Sequence, residues 1–121
     1  MEESSMYYKR NEPFRYTFGT PTVGTIQKAE LEEETQTYEA KILDLSQHGA
    51  KIEVAQDEKW DNGTPILIRF SILEEEFVAN GIVKWHKQLG STHLYGLDLE
   101  TSEEWRKSLI NNLKQLAKDN L

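Results

Sequence analysis

Along most of the chain, apolar and polar residues alternate one by one, which is the period of a β-strand with one buried face. A first strand is predicted from Phe14 onward, and the interruption at Gly19 to Pro21 indicates a bulge or a bend. Five further strands are predicted at residues 38–43, 50–54, 66–73, 77–85 and 94–99. In the predicted strand at residues 77–85, one inward-facing row is expected, comprising Phe77, Ala79, Gly81, Val83 and Trp85.

The C-terminal part changes to a helical period. Its apolar residues recur every three or four positions, at Trp105, Leu109, Leu113 and Leu116. Thr101 and Glu104 stand at the spacing of a capping box, in which each side chain binds the backbone of the other residue. The pattern predicts a helix that begins near Thr101 or Ser102 and ends near Lys118, with Trp105 in the core.

Short connections between the predicted strands favour an antiparallel arrangement, and open sheet edges must be closed or covered because they aggregate. A mainly β protein follows: a small six-stranded barrel with a C-terminal helix lying against it. The length of 121 residues fits one domain. We expect residues 1–13 to form a flexible N-terminal arm, and residues 14–121 to form the barrel with a helix over about 102–118.

The charge balance argues against binding to nucleic acid polymers. Lys and Arg number 14 while Asp and Glu number 21, which gives a net charge of −7, whereas non-specific DNA binding depends on cations that neutralise phosphates. The absence of cysteine removes disulfides, thiol nucleophiles and iron–sulfur clusters. The start of the chain is acidic and polar, unlike a signal peptide. With no apolar stretch of ~20 residues, we expect a cytoplasmic protein without membrane insertion.

No arrangement of residues points to catalysis. The three histidines are scattered, without the spacing of metal ligands on a helix. No glycine-rich loop precedes a helix as it does in phosphate-binding motifs. The runs Glu32–Glu34 and Glu74–Glu76 are typical of solvated turns. We therefore expect a protein that is not an enzyme and that carries no metal or cofactor.

A short basic segment stands out in this acidic chain. Lys9, Arg10 and Arg15 lie where the arm enters the first strand. A guanidinium group can bind phosphate with two hydrogen bonds and can donate to the O6 and N7 atoms of guanine. Taken alone, the segment also fits an ordinary patch of surface charge.

A second feature lies at the end of the second strand. Asp44 and Ser46 fall on one face of the strand, and Leu45 points the opposite way, into the core. Gly49 is expected to adopt a positive φ and to turn the chain into the next strand. A carboxylate beside a hydroxyl can accept N–H groups such as N1 and N2 of guanine. The alternative is a plain turn in which Asp and Ser cap their own backbone.

Together and in this order, the two segments resemble the PilZ domain family. The family signature Asp/Asn-x-Ser-x-x-Gly is intact as Asp44, Ser46 and Gly49, and residues 50–54 and 95–99 also resemble the family's strands. The resemblance implies a six-stranded antiparallel split β-barrel with a C-terminal α-helix. It also implies binding of the bacterial second messenger cyclic di-GMP, with Asp44 and Ser46 receiving its N–H groups or orienting the arm.

The second family signature, Arg-Arg-x-x-x-Arg, is matched only in part. Arg10 and Arg15 match the outer arginines, and Asn11 replaces the second arginine. The residues implied in ligand binding are Arg10, Arg15, Asp44, Ser46 and Gly49, with Lys9 and Asn11 beside them. On this hypothesis, ligand binding orders the arm and creates a surface for an unidentified protein partner, for which an exposed Trp60 would be a candidate.

Two alternatives follow from the same residues. Because Asn11 carries no charge, the chain could be a degenerate PilZ adaptor that binds no nucleotide and acts only through protein contacts. A small barrel could also serve an enzyme or a protein that binds single-stranded nucleic acid, but the acidic charge and the lack of a catalytic group disfavour both.

Overall fold

A computed structural model describes residues 15–29, 36–55 and 60–120. Its elements are β1 (Arg15–Lys28), β2 (Tyr38–Ser46), β3 (Gly49–Val54), β4 (Pro65–Ile72), β5 (Glu75–Leu89), β6 (Thr92–Glu100) and α1 (Glu103–Asp119). The six strands pair antiparallel and close into a barrel in the order β1-β2-β3-β6-β5-β4. The predicted six-stranded antiparallel barrel with a C-terminal helix is thereby confirmed. The predicted arm, residues 1–13, lies outside the described residues.

Strand β1 closes the barrel because it pairs with two neighbours. Its first half pairs with β2 alone, and its second half, from Thr25 to Lys28, also pairs with β4. Between Thr17 and Thr22 the register with β2 shifts, which confirms the interruption predicted at Gly19 to Pro21. The irregularity lets one long strand follow β2 to its end and still turn back to complete the cylinder.

The interior is filled by the inward-facing residues that the alternation predicted. In β4, for example, four side chains on one face are all buried, namely Ile66, Ile68, Phe70 and Ile72. Helix α1 covers the barrel with Leu109 and Leu113, which are completely buried. Trp105 packs edge-on against Phe70 and Phe77. Its indole Nε1 donates a hydrogen bond of 3.0 Å to the carbonyl of Val78, which fixes the start of the helix on β5.

The helix begins where it was predicted, but the predicted capping box does not form. Ser102 is the N-cap, and its hydroxyl accepts a 3.1 Å hydrogen bond from the backbone N–H of Trp105. The capping box of Thr101 and Glu104 was therefore wrong. The hydroxyl of Thr101 instead donates to the carbonyl of Gln47 at 3.3 Å, because Thr101 faces the loop after β2 and not the first turn of the helix.

Strand β5 contains a bulge that changes which side chains face outward. Val83 pairs with Leu97 and is completely buried, while Trp85 pairs with Gly96 and is 39% exposed. The extra residue, Lys84, reverses the alternation beyond this point. The inward-facing row predicted from Phe77 is therefore wrong at Trp85, whose side chain lies on the outer face of the barrel.

Trp60 does not form an exposed surface. It is buried, with its ring centroid 5.9 Å from that of Tyr38 and 5.5 Å from that of Tyr95. The possibility that an exposed Trp60 contacts a partner is therefore excluded. Across the described ranges, no helix has the length and apolar character needed to cross a membrane.

Candidate functional site

An open cleft of about 380 Å³ lies on the outside of the barrel, where β1, β2, β3, β5 and β6 meet. Its polar and aromatic lining residues are Arg15, Asp44, Ser46, His48, Lys51, Lys84, Trp85 and Asp98. Three of these are Lys or Arg and two are Asp. The cleft wall is therefore locally cationic in a protein whose net charge is −7. Such a wall favours an anionic ligand.

Four residues form a single row across the floor of the cleft. Asp44 on β2 pairs with Lys51 on β3, which pairs with Gly96 on β6, which in turn pairs with Trp85 on β5. Paired residues of neighbouring strands share a face of the sheet, and the strands are ~4.8 Å apart. The row thus presents a carboxylate, an ammonium group and an indole to the same side over roughly 14 Å.

Arg15 and Asp44 form an ion pair at one end of this row. The Nε atom of Arg15 lies 3.0 Å from Oδ1 of Asp44. The side chain of Asp44 is 16% exposed and that of Arg15 is 67% exposed. The carboxylate therefore holds the inner edge of the guanidinium group, while its outer edge faces solvent. An arginine oriented in this way is ready to donate to a phosphate or to the edge of a base.

Ser46 and Gly49 lie beside the ion pair. Ser46 is buried and stands opposite Arg15 in the β1–β2 pairing. Gly49 does not have the positive φ that was predicted, since among the described glycines only Gly63 and Gly90 do. Its backbone instead lies close to β6, since a Cβ there would make a tight contact of 3.1 Å with the carbonyl oxygen of Leu97. Glycine at this position lets β3 begin immediately against β6.

Trp85 forms the opposite end of the row and was missed as a site residue. Its indole covers Gly96 so closely that a Cβ built on Gly96 would overlap the indole nitrogen. The ring is held against the backbone and remains partly exposed to the cleft. The sequence carried one relevant signal, because an isolated glycine within a strand indicates the close approach of another group.

The loop after β2 is fixed from behind by the start of the helix. The carbonyl of Gln47 accepts the hydrogen bond from Thr101, and that of His48 accepts a 2.8 Å bond from the N–H of Leu99. Arg106 donates in turn to the carbonyl oxygen and hydroxyl of Thr101, at 2.7 and 3.1 Å. The wall of the cleft that contains Ser46 is therefore connected to helix α1.

The predicted site residues fall into two groups. The structure brings together Arg15, Asp44, Ser46 and Gly49, all of which line the cleft. Lys9, Arg10 and Asn11 lie outside the described residues. That any of them binds a ligand remains a prediction.

Histidines that are scattered in the sequence are partly gathered by the fold. His86 and His93 face each other across the β5–β6 hairpin, with Nε2 of the first 2.9 Å from Nδ1 of the second. His48 is exposed at the rim of the cleft, as expected of a turn residue. Within the part of the chain that the structure describes, no group of three or more His, Cys, Asp or Glu residues is arranged to hold a metal ion.

Comparison of the sequence with family models identifies the family that the fold and the cleft indicate. A family model of the PilZ domain matches residues 9–115. The chain belongs to the PilZ domain family. The match includes every strand of the barrel, most of helix α1 and both segments that resembled the family signatures. No curated protein matches the chain in sequence.

Solved structures share this PilZ fold at low sequence identity. The inhibitor of motility MotI/DgrA from Bacillus subtilis has a TM-score of 0.67 at 14% identity, over 92% of this chain and 53% of its own. The PilZ domain of YcgR from Escherichia coli, solved with c-di-GMP, has a TM-score of 0.66 at 14% identity, over 93% of this chain and 97% of its own.

A third structure is the complex of K. pneumonia MrkH with c-di-GMP. It has a TM-score of 0.66 at 12% identity, over 95% of this chain and 57% of its own. This PilZ chain therefore spans about half the length of MotI/DgrA and of MrkH. At such identities the likeness concerns the fold.

Proposed function

We propose that this PilZ domain is a receptor for cyclic di-GMP and binds it in the cleft between Arg15 and Trp85. The observation that carries the proposal is the Arg15–Asp44 ion pair, which orients a guanidinium group at the edge of an open cleft beside Ser46. Family membership supports it, as do the PilZ relatives solved with this ligand.

The chemistry of the cleft suits a molecule with two phosphate charges and two guanine bases. The outer edge of Arg15 donates to a phosphate or to O6 and N7 of a guanine. The carboxylate of Asp44 holds that arginine and can accept N1–H or N2–H of a guanine. The indole of Trp85 offers a flat surface on which a second base stacks.

The residues that precede β1 complete the proposed site. In the proposed complex, Arg10 binds the ligand from the side opposite Asp44, with Lys9 adding charge and Asn11 a hydrogen-bonding amide. Fixing this segment over the ligand costs conformational entropy. The covered ligand and the fixed segment form a new surface, to which a protein partner binds.

Titration calorimetry of the purified protein with cyclic di-GMP tests the proposed function. We expect binding at micromolar concentration or tighter. Cyclic di-AMP is the matched control, because it has the same charge and ring but lacks the guanine O6 and N2 groups. It should bind at least about tenfold more weakly, since the acceptors of the site stay unpaired.

The absence of heat with cyclic di-GMP at high ligand concentration would contradict the receptor function. It would favour the adaptor that acts only through protein contacts, for which the uncharged Asn11 is the supporting observation. Asn11→Arg restores the family's arginine and should increase the affinity for cyclic di-GMP. An unchanged affinity would show that position 11 does not contact the ligand.

Trp85→Ala should weaken binding of cyclic di-GMP by about 1–3 kcal/mol, the usual contribution of an aromatic side chain that stacks on a base. Trp85→Phe should retain part of the affinity because it keeps a ring. Leu89→Ala is the control, since Leu89 is also exposed on β5 but lies outside the cleft. Equal dissociation constants for Trp85→Ala and the parent would remove Trp85 from the site.

A further inference from the structure

The three cations that line the cleft differ in their partners. Arg15 is paired with Asp44 at 3.0 Å, and Lys84 lies 3.9 Å from Oδ1 of Asp98. Lys51 is different: with the residues that the structure describes, its ammonium group forms neither an ion pair nor a hydrogen bond. Its charge is therefore the one in this described wall that no neighbouring carboxylate offsets.

The position of Lys51 in the cleft indicates what its charge could bind. It is half-buried at the centre of the row, directly opposite Asp44 on one side and Gly96 on the other. Asp44 is turned toward Arg15, so the acid nearest to Lys51 in the sheet is already engaged. An ammonium group that faces an open cleft and has no carboxylate paired with it among the described residues favours an anion placed above it.

The row also specifies which part of the ligand reaches Lys51. A base stacked on Trp85 and a group held beside the Arg15–Asp44 pair occupy the two ends of the row, whose outer strands are roughly 14 Å apart by strand spacing. A phosphate that connects base-bearing sugars between those ends passes over the middle strand, β3. Lysine is a compact point charge with three donors and suits such an oxygen-rich group.

We propose that Lys51 binds a phosphate of the ligand and supplies the positive charge that Asn11 does not. The inference rests on the proposed function, because it assigns a role within the same cleft. In the family pattern, an arginine in the segment before the first strand supplies this charge. In this chain, a lysine of the barrel wall is expected to supply it to the dianionic ligand instead.

Calorimetry with cyclic di-GMP on three variants tests the role of Lys51. Lys51→Met, which keeps the length of the side chain and removes its charge, should weaken binding about tenfold or more. Lys51→Arg should remain within about threefold of the parent because it keeps the charge. The matched control is Lys41→Met: Lys41 is exposed on β2 outside the cleft, and its loss should leave affinity unchanged.

Repeating the calorimetry at a higher salt concentration separates an effect of the lysine charge from an effect of its packing. The difference between the parent and Lys51→Met should shrink as salt screens the charge, while thermal unfolding of the ligand-free variants stays close to that of the parent. If the parent binds and Lys51→Met binds equally well, or Lys51→Arg is as weak as Lys51→Met, the role of Lys51 is refuted and the receptor function stands. If the parent does not bind, both are refuted.

Discussion

Arg15→Ala is expected to weaken the binding of cyclic di-GMP by about 1.5–3 kcal/mol, or roughly ten- to 150-fold. The expected loss is large because the guanidinium group is oriented before the ligand arrives: Asp44 holds its Nε at 3.0 Å and leaves the outer edge exposed. The ligand therefore gains charge-assisted hydrogen bonds without having to order a free side chain. Titration calorimetry of parent and variant measures the difference directly.

A matched arginine elsewhere on the barrel provides the control. Arg69 forms an ion pair of the same length, 3.0 Å, with Glu76 on the β4–β5 hairpin, outside the cleft. Arg69→Ala should leave the affinity for cyclic di-GMP unchanged. Exposed ion pairs such as Arg69–Glu76 contribute only about 0–1 kcal/mol to stability, so Arg69→Ala should unfold nearly as the parent does. Thermal unfolding of Arg15→Ala, whose partner Asp44 is only 16% exposed, shows whether that variant stays folded. Equal affinities of Arg15→Ala and Arg69→Ala would show that Arg15 does not bind the ligand.

Leu109→Ala should lower the free energy of unfolding by about 2–5 kcal/mol, the usual cost of truncating a fully buried leucine. Leu109 lies on the face of α1 that covers the barrel and has no exposed surface. The cavity left behind would lie between α1 and the barrel, and a closely packed interior relaxes into such a cavity only in part. Urea unfolding followed by circular dichroism measures the change.

The same substitution at Leu116 is the internal comparison. Leu116 is on the same helix and packs against the core, but it is only partly buried. Leu116→Ala should therefore cost clearly less than Leu109→Ala, because fewer contacts are lost and water can fill the gap. Similar losses at the two positions would mean that the helix is not seated on the barrel as described.

The strands were predictable because almost every one has one buried and one solvated face. In β4, from Ile66 to Ile72, apolar residues alternate with more exposed ones because every second side chain is buried in the barrel. The same logic failed at Trp85, where a bulge at Lys84 shifts the alternation by one residue. A bulge leaves little trace in one sequence, since it depends on how the partner strand is paired.

The candidate site was predictable only where it is local in sequence. Asp44 and Ser46 are two residues apart at a strand end, so their shared face follows from geometry alone. Lys51 and Trp85 enter the cleft through the register of three neighbouring strand pairs, which no single segment encodes. Gly49 was correctly predicted to lie beside Asp44 and Ser46, but the positive φ predicted for it was wrong. Its close approach to Leu97 exists only once β3 and β6 are paired, so the sequence of one segment does not reveal it.

The bulge in β5 also bears on how such chains can diverge. Because Lys84 is the extra residue, deleting it would place Trp85 directly after the inward-facing Val83 in a regular alternation, so the indole would stay on the outer wall opposite Gly96. The bulge thus holds one residue more than the β5–β6 pairing needs between Gly81 and Trp85. A deletion of Lys84 is therefore expected to leave both ends of the cleft in place and to remove only one of its three cations.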